Sequence, residues 1–184
     1  MKLPIILIGP MATGKSTIAA ELSNLLDIPR APMDRIRWYY YFKNGFSLEK
    51  QDEIDNFTDV MAYWKPYEVI AVQQIVREFN EYIIDFGAGH SWFTDKEQLR
   101  TVSSALNDLP NIFLLLPSED NEESLRICNE RLAERKGTEL DKEEIKANFD
   151  FINDESNYRL AKHIIYTKDK TVESTADEIH KLIQ

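Results

Sequence analysis

Three observations predict an α/β fold built on a parallel sheet. Apolar runs of strand length recur at residues 3–8, 82–84, Ile112–Leu116 and His163–Tyr166, without the period-two alternation of strands that have one wet face. Helix-length segments separate the runs, the pattern that βαβ units produce. A glycine-bearing loop joins the first run directly to an amphipathic segment. Strands covered on both faces by helices account for the runs, which are therefore expected to be central strands rather than edges.

The bulk composition narrows the classes. A chain of 184 residues with 43% hydrophobic content can bury one substantial core but is short for two, so one domain over 1–184 is expected. The 32 acidic residues outnumber the 22 basic ones, and a net charge of -10 disfavours a nucleic-acid partner, whose affinity comes largely from Lys and Arg neutralising phosphates. No apolar stretch approaches the roughly 20 residues of a membrane span. The start, Met1-Lys2-Leu3-Pro4 followed by Ile5-Ile6-Leu7-Ile8, is too short in apolar residues for a signal peptide, so a cytoplasmic location without a membrane partner is expected. The lone Cys128 can form no internal disulfide, no Cys/His cluster suggests zinc, and the residue reads as a small apolar side chain on a helix.

The first loop carries the sharpest motif. Gly9-Pro10-Met11-Ala12-Thr13-Gly14-Lys15-Ser16 matches GxxxxGK[ST], which average residue usage would produce in roughly one per hundred chains of this length. It follows the run 3–8 and opens the segment 16–26, where Ile18, Leu22, Leu25 and Leu26 recur at helical spacing. Glycines let such a loop curl so that successive N–H groups point at phosphates, and the helix adds its free N–H groups and positive dipole end. Lys15 would bridge the β- and γ-phosphates and act in catalysis. Ser16 would ligate Mg²⁺, and Thr17 would touch the α-phosphate. Gly9, Ala12, Thr13, Gly14, Lys15, Ser16 and Thr17 are thus expected to bind a nucleoside triphosphate.

The stretch 7–17, continuing through Leu25-Leu26-Asp27-Ile28-Pro29 and Met33-Asp34-Arg35-Ile36, resembles the opening of shikimate kinases and related small-molecule kinases. Gly87-Ala88-Gly89 looks like that family's glycine triplet, and Tyr158-Arg159-Leu160-Ala161-Lys162-His163 like its segment before the last strand. The resemblance implies a three-layer P-loop NTPase fold with a five-stranded parallel sheet, as in nucleoside monophosphate and shikimate kinases, together with ATP, Mg²⁺ and a small-molecule hydroxyl acceptor. It puts Asp34 at the acceptor-binding aspartate. Pro32 replaces the magnesium-associated carboxylate, and the arginines that grip shikimate have no counterpart near Trp64, where Lys65 is the only nearby cation, or before Tyr158, where Asp154-Glu155-Ser156-Asn157 stands instead. Shikimate is therefore not the expected acceptor.

Asp34 would orient or deprotonate the acceptor hydroxyl, or cap the helix that follows; both readings stand. Behind it, Arg35 and Arg37 precede five consecutive aromatics, Trp38 to Phe42. These would line an acceptor pocket with an arginine on its anionic group, or else form a core helix or dimer face, the reading preferred for the tyrosines. Residues 34–80 make up the expected acceptor-binding region. The run 82–84 ends in Asp85, the pattern of a carboxylate that holds Mg²⁺ through water, so Ser16 and Asp85 form the expected metal site. In the next turn Gly87, Ala88 and Gly89 would bring backbone N–H groups close to the acceptor.

Thr94 with Glu97 marks a helix start, as does Asp141 with Glu144. Between them, residues 124–135 carry Arg126, Arg131 and Arg135, with Leu125, Cys128 and Leu132 on the apolar face. Arg131 and Arg135 are four apart and share a face, and Lys136-Gly137-Thr138 follows, which suits a lid over 126–148 whose arginines stabilise the moving phosphoryl group. The alternative is a solvated helix on which Glu122, Glu123, Glu130 and Glu134 pair with the arginines. Thr171 should open the last helix, where Val172, Thr175, Ala176, Ile179 and Leu182 form one stripe that docks on the sheet. The function expected is a phosphotransferase moving the γ-phosphate of ATP to a small metabolite, as a monomer or homodimer. The alternatives are a nucleoside or nucleotide kinase, and a nucleotide-binding regulatory module that phosphorylates nothing.

Overall fold

The structure, a computed structural model, describes residues 3–183; the expected leaderless start at Met1 and Lys2 lies outside the described residues. In chain order the elements are β1 Ile5–Ile8, α1 Lys15–Leu26, β2 Arg30–Pro32, α2 Met33–Lys43, α3 Leu48–Asp52, α4 Phe57–Glu78 and β3 Ile83–Asp85. A 3₁₀ turn Ala88–Ser91 precedes α5 Lys96–Leu106, β4 Ile112–Leu116, α6 Asn121–Lys136, α7 Lys142–Asn153, α8 Glu155–Leu160, β5 His163–Tyr166 and α9 Val172–Leu182.

The five strands form one sheet in the order β2-β3-β1-β4-β5, every pair parallel. Side chains alternate between two cores. Ile6, Ile8, Ile84, Ile112, Leu114 and Leu116 pack with Val72, Ile75, Leu99 and Val102 on one face. Ile5, Leu7, Ile83, Phe113 and Leu115 pack with Ile18, Leu22, Ala176 and Ile179 on the other. Helices thus cover both faces, which is why the strands read as unbroken apolar runs. All four β1 side chains are fully buried, at roughly 1.5–3 kcal/mol each, and this makes β1 a rigid base for the loop it feeds.

The strand order places β1 in the centre, with β2 and β3 to one side and β4 and β5 to the other, so the chain changes direction across the sheet beside β1. In such sheets ligands bind beyond the carboxyl ends at this switch point. The register shows what gathers there: Asp85 pairs with Leu7 and with Pro32. The β1 exit loop, Asp85 and the entrance to α2 therefore share one end of the sheet.

Three expectations need correction. β5 is an edge strand, half-exposed, with Ile164 at 40% exposure, because only β4 pairs with it. The cap of α5 is Asp95 rather than Thr94: its carboxylate accepts from the Glu97 and Gln98 N–H groups at 2.9 and 2.8 Å. Asp34 is not a helix cap, since α2 already begins at Met33 after Pro32. At the other two starts, Asp141 and Glu144 form a complete capping box, and Thr171 accepts from Ser174 N–H at 3.1 Å.

Candidate active site

The loop between β1 and α1 has the backbone its glycines permit. Gly9 (φ +135°) and Gly14 (φ +94°) lie in the left-handed region, and a Cβ at Gly9 would sit 2.5 Å from the Leu115 carbonyl oxygen. Gly14 precedes α1 and offers no side chain to occupy the N–H groups of its first turn. Lys15 is buried, and its ammonium donates to the carbonyls of Gly9 (2.8 Å) and Pro10 (2.6 Å). Burial lowers its pKa to about 8, against the charges of Asp34 and Asp85, which raise it.

Asp85, at the end of β3, is 4% exposed. Burial raises its pKa, while a hydrogen bond from Ser16 and the charges of Arg30 and Lys15 lower it. Its Oδ1 is buried without a hydrogen-bond partner. Of this pair only Ser16 lines the cavity, and Asp85 is buried outside its lining; an unpartnered carboxylate oxygen beside a cavity hydroxyl fits a hydrated Mg²⁺ held through water, an ion that takes one or two protein ligands. No group of three or more His, Cys, Asp or Glu suited to a metal occurs among the described residues, so the site offers no closed protein cage.

A cavity of about 610 Å³ runs along this end of the sheet, within the usual range for small-molecule sites. The residues from Met11 to Ile18 form its middle. Thr167, Lys170, Thr171 and Thr175, at the β5–α9 junction, line one end; the Thr167 hydroxyl is buried and unpartnered. On the β2–β3 side the lining comes from Asp34 and Arg37 of α2, from Phe86, Ala88 and Gly89 after β3, and from α4. Phe57, Met61, Trp64 and Glu68 are spaced four, three and four apart, so one face of α4 looks into the cavity.

Asp34 is 66% exposed at the cavity and lies 3.7 Å from Arg37, one turn later. Arg35 is exposed and is not among the lining residues, and Gly87 is buried beneath them. A Cβ on Gly87 would overlap Asp34 Oδ1, and one on Gly89 would overlap Glu68 Oε1, so both glycines make room for carboxylates of the chain itself. Tyr40 and Tyr41 are core residues, as preferred for the tyrosines, but Tyr39 is exposed on the outer face of α2. The Tyr41 hydroxyl meets His90 Nε2 at 3.3 Å, and burial lowers His90 to about 3, which keeps the imidazole neutral.

Arg131 and Arg135 line the cavity from α6. Arg126 does not; it pairs with Glu130 at 2.8 Å, both side chains more than half exposed. Cys128 is buried in the same helix. Beyond Gly137, α7 is tied down on both sides: Asn148 accepts from Met11 N–H (3.1 Å) and donates to Asn129 (3.0 Å), and Glu143 accepts from Phe57 N–H (2.9 Å).

The sequence reading missed the Lys65–Glu68 pair and the aromatic lining. Lys65 and Glu68 are buried, 2.6 Å apart. The visible signal was their i,i+3 spacing within a helix; their burial depends on how α4 packs, which spacing does not reveal.

No family model matches the chain, and no curated protein matches it. Solved structures do. Shikimate kinase from Acinetobacter baumannii in complex with shikimate is 17% identical with a TM-score of 0.68, over 97% of this chain and 90% of that one. Shikimate kinase from Bacteroides thetaiotaomicron is 19% identical with a TM-score of 0.62, over 99% and 98%. A gluconokinase from Sinorhizobium meliloti is 12% identical with a TM-score of 0.58, over 95% and 87%. At these identities the likeness is one of architecture: the chain has the three-layer, five-stranded parallel fold of the shikimate kinases and gluconokinase.

Proposed function

We propose that this protein is a P-loop kinase that transfers the γ-phosphate of ATP to a hydroxyl on a small molecule other than shikimate. One observation carries the reading: the phosphate loop and the Asp34–Arg37 turn open into the same cavity, so donor and acceptor can meet without crossing solvent. Residues 34–80 supply the acceptor half and 126–148 the lid, within one domain.

In the reaction, the bond between the γ-phosphorus and the β,γ-bridging oxygen breaks and a bond to the acceptor oxygen forms. Asp34 holds the acceptor hydroxyl and takes its proton. Charged Lys15 and the two lid arginines, Arg131 and Arg135, stabilise negative charge on the transferred group. Ser16 and Asp85 would hold Mg²⁺, which neutralises charge on the phosphates when bound. Thr167, Lys170, Thr171 and Thr175 line the end left for the base.

Phosphorus NMR of the full chain with MgATP and a panel of sugars, sugar acids, nucleosides and hydroxylated aromatic acids tests the proposal. A new phosphoester is expected with one acceptor class. Asp34→Ala should lower its formation roughly 10²- to 10⁴-fold while MgATP affinity holds. Slow release of inorganic phosphate alone, unchanged by Asp34→Ala, would mark a nucleotide-binding regulatory module instead.

A further inference from the structure

Resting on the kinase reading, we infer that the acceptor is a flat, aromatic-bodied molecule carrying a single carboxylate, and that Arg37 grips that carboxylate. The Arg37 guanidinium sits in the corner of two perpendicular indoles, its Cζ 4.7 Å from the Trp38 ring centroid and 4.6 Å from that of Trp64, the two centroids being 5.9 Å apart. Contact with both rings restrains the planar fork before any ligand arrives, and a preorganised guanidinium is the best partner for a carboxylate. The side chain is 14% exposed and lines the cavity. It reaches the Tyr41 hydroxyl, and its only ion pair among the described residues, with Asp34, is 3.7 Å long, beyond hydrogen-bonding reach. Its Nε is buried without a partner.

The other cations at the cavity are committed elsewhere. Lys65 has three donors, and all are used: on Glu68 (2.6 Å), on the Gly89 carbonyl (2.7 Å) and on the Trp92 carbonyl (2.7 Å). Lys15 belongs to the phosphate loop, and Lys170, at the β5–α9 end, pairs with Glu178 at 2.5 Å. Arg131 and Arg135 stand on α6, on the lid side. Arg37 is therefore the cation on the β2–β3 side with donors to spare.

The walls supply the second half of the inference. Phe57, Met61 and Trp64 offer an apolar surface with almost no hydrogen-bonding capacity, backed by the buried Phe86 and Phe151, and Glu68 is the carboxylate that interrupts it. A polyhydroxylated acid placed against them would leave several hydroxyls unsatisfied, at about 1–3 kcal/mol each. A flat ring pays no such penalty. Asp34 and Arg37 are an i,i+3 pair, about 5–6 Å apart at their Cβ atoms, so a hydroxyl on Asp34 and a carboxylate on Arg37 match a meta-substituted ring.

Calorimetric titration of the full chain with 3-(hydroxymethyl)benzoate, its uncharged amide and gluconate tests this. The benzoate should bind at least about tenfold tighter than either of the others, and Arg37→Gln should erase that margin without changing MgATP affinity. If Arg37→Gln fails to fold, Arg37→Lys, which keeps the charge but not the fork, should narrow the preference for benzoate over amide. Gluconate binding as tightly as the benzoate, equal binding of benzoate and amide, or an unchanged margin in a folded Arg37 variant each overturn the inference. Benzoate binding that requires Arg37 yet yields no phosphoester supports this acceptor class and refutes phosphoryl transfer, so the two failures are distinguishable.

Discussion

Raising the pH should weaken nucleotide binding through Lys15 alone. Burial holds this lysine at about 8 instead of the ordinary 10.5, although two carbonyls accept from it at 2.8 and 2.6 Å. A bound triphosphate restores the preference for the charged form, so its affinity depends on the proton that the free protein loses above about pH 8. At about pH 9.5, only some 3% of the free protein would still carry that proton, and the dissociation constant for MgATP should rise about thirtyfold over its value near pH 7. Equilibrium titration with a fluorescent ATP analogue at stepped pH measures this, with Lys15→Met as the reference, since Met keeps the volume and cannot titrate.

The same group has a second signature. Because the folded pKa lies below the unfolded one, the unfolded chain binds more protons between pH 8 and 10.5, and stability must rise with pH across that window. Below pH 8 the full cost of burying a charged lysine, about 3 kcal/mol, is present. Lys15→Met should therefore be the more stable protein at neutral pH, less whatever is lost with the hydrogen bonds to Gly9 and Pro10. Its advantage should shrink steadily toward pH 10.5. A dissociation constant flat from about pH 7 to 9.5, or one that rises equally in Lys15→Met, would refute a buried lysine as the titrating group.

Two further outcomes follow from groups beside the loop. Lys65→Met should cost roughly 3–5 kcal/mol in urea melts, because it strands the 2%-exposed Glu68 carboxylate; converting Glu68 to Gln in the same chain should recover part of that loss. Gly87→Ala meets no backbone penalty, its φ of -65° being open to any residue, yet the new Cβ would overlap Asp34 Oδ1 and lie 2.8 Å from His90 Nδ1. Phosphoryl transfer should fall about 10²-fold from a displaced Asp34, with a stability loss of about 1–3 kcal/mol, seen by steady-state kinetics and thermal melts on one preparation.

Legibility in the sequence tracked how local each feature is. The phosphate loop, the capping boxed start at Asp141 and the strand ending in Asp85 are contiguous, so local chemistry alone marks them. β2 is three residues long, too short to show a period, and only its pairing with β3 defines it. Whether β5 is central or an edge is likewise a property of its neighbours: its apolar run looks like that of β4, yet one face of it remains wet. On α4 the cavity face at Phe57, Met61, Trp64 and Glu68 is hidden because Tyr63, Tyr67 and Val72 pack inward on other faces, leaving apolar residues around much of the helix.

The glycine triplet shows how a correct physical inference can still find a different partner. The absence of Cβ atoms at Gly87 and Gly89 signals a close approach, which the sequence reading assigned to an acceptor. In the structure the space over Gly87 is taken by Asp34 and that over Gly89 by Glu68, so the turn after β3 acts first as a seat for two carboxylates. Both line the cavity, but Asp34 stays exposed there while the buried Glu68 draws Lys65 into a closed set of three hydrogen bonds. The turn thereby removes one cation from the acceptor side and fixes the carboxylate beside Arg37. A Gly89→Ala chain should then disturb Lys65 before it disturbs Asp34, so the two glycines, alike in sequence, control opposite charges of the same pocket.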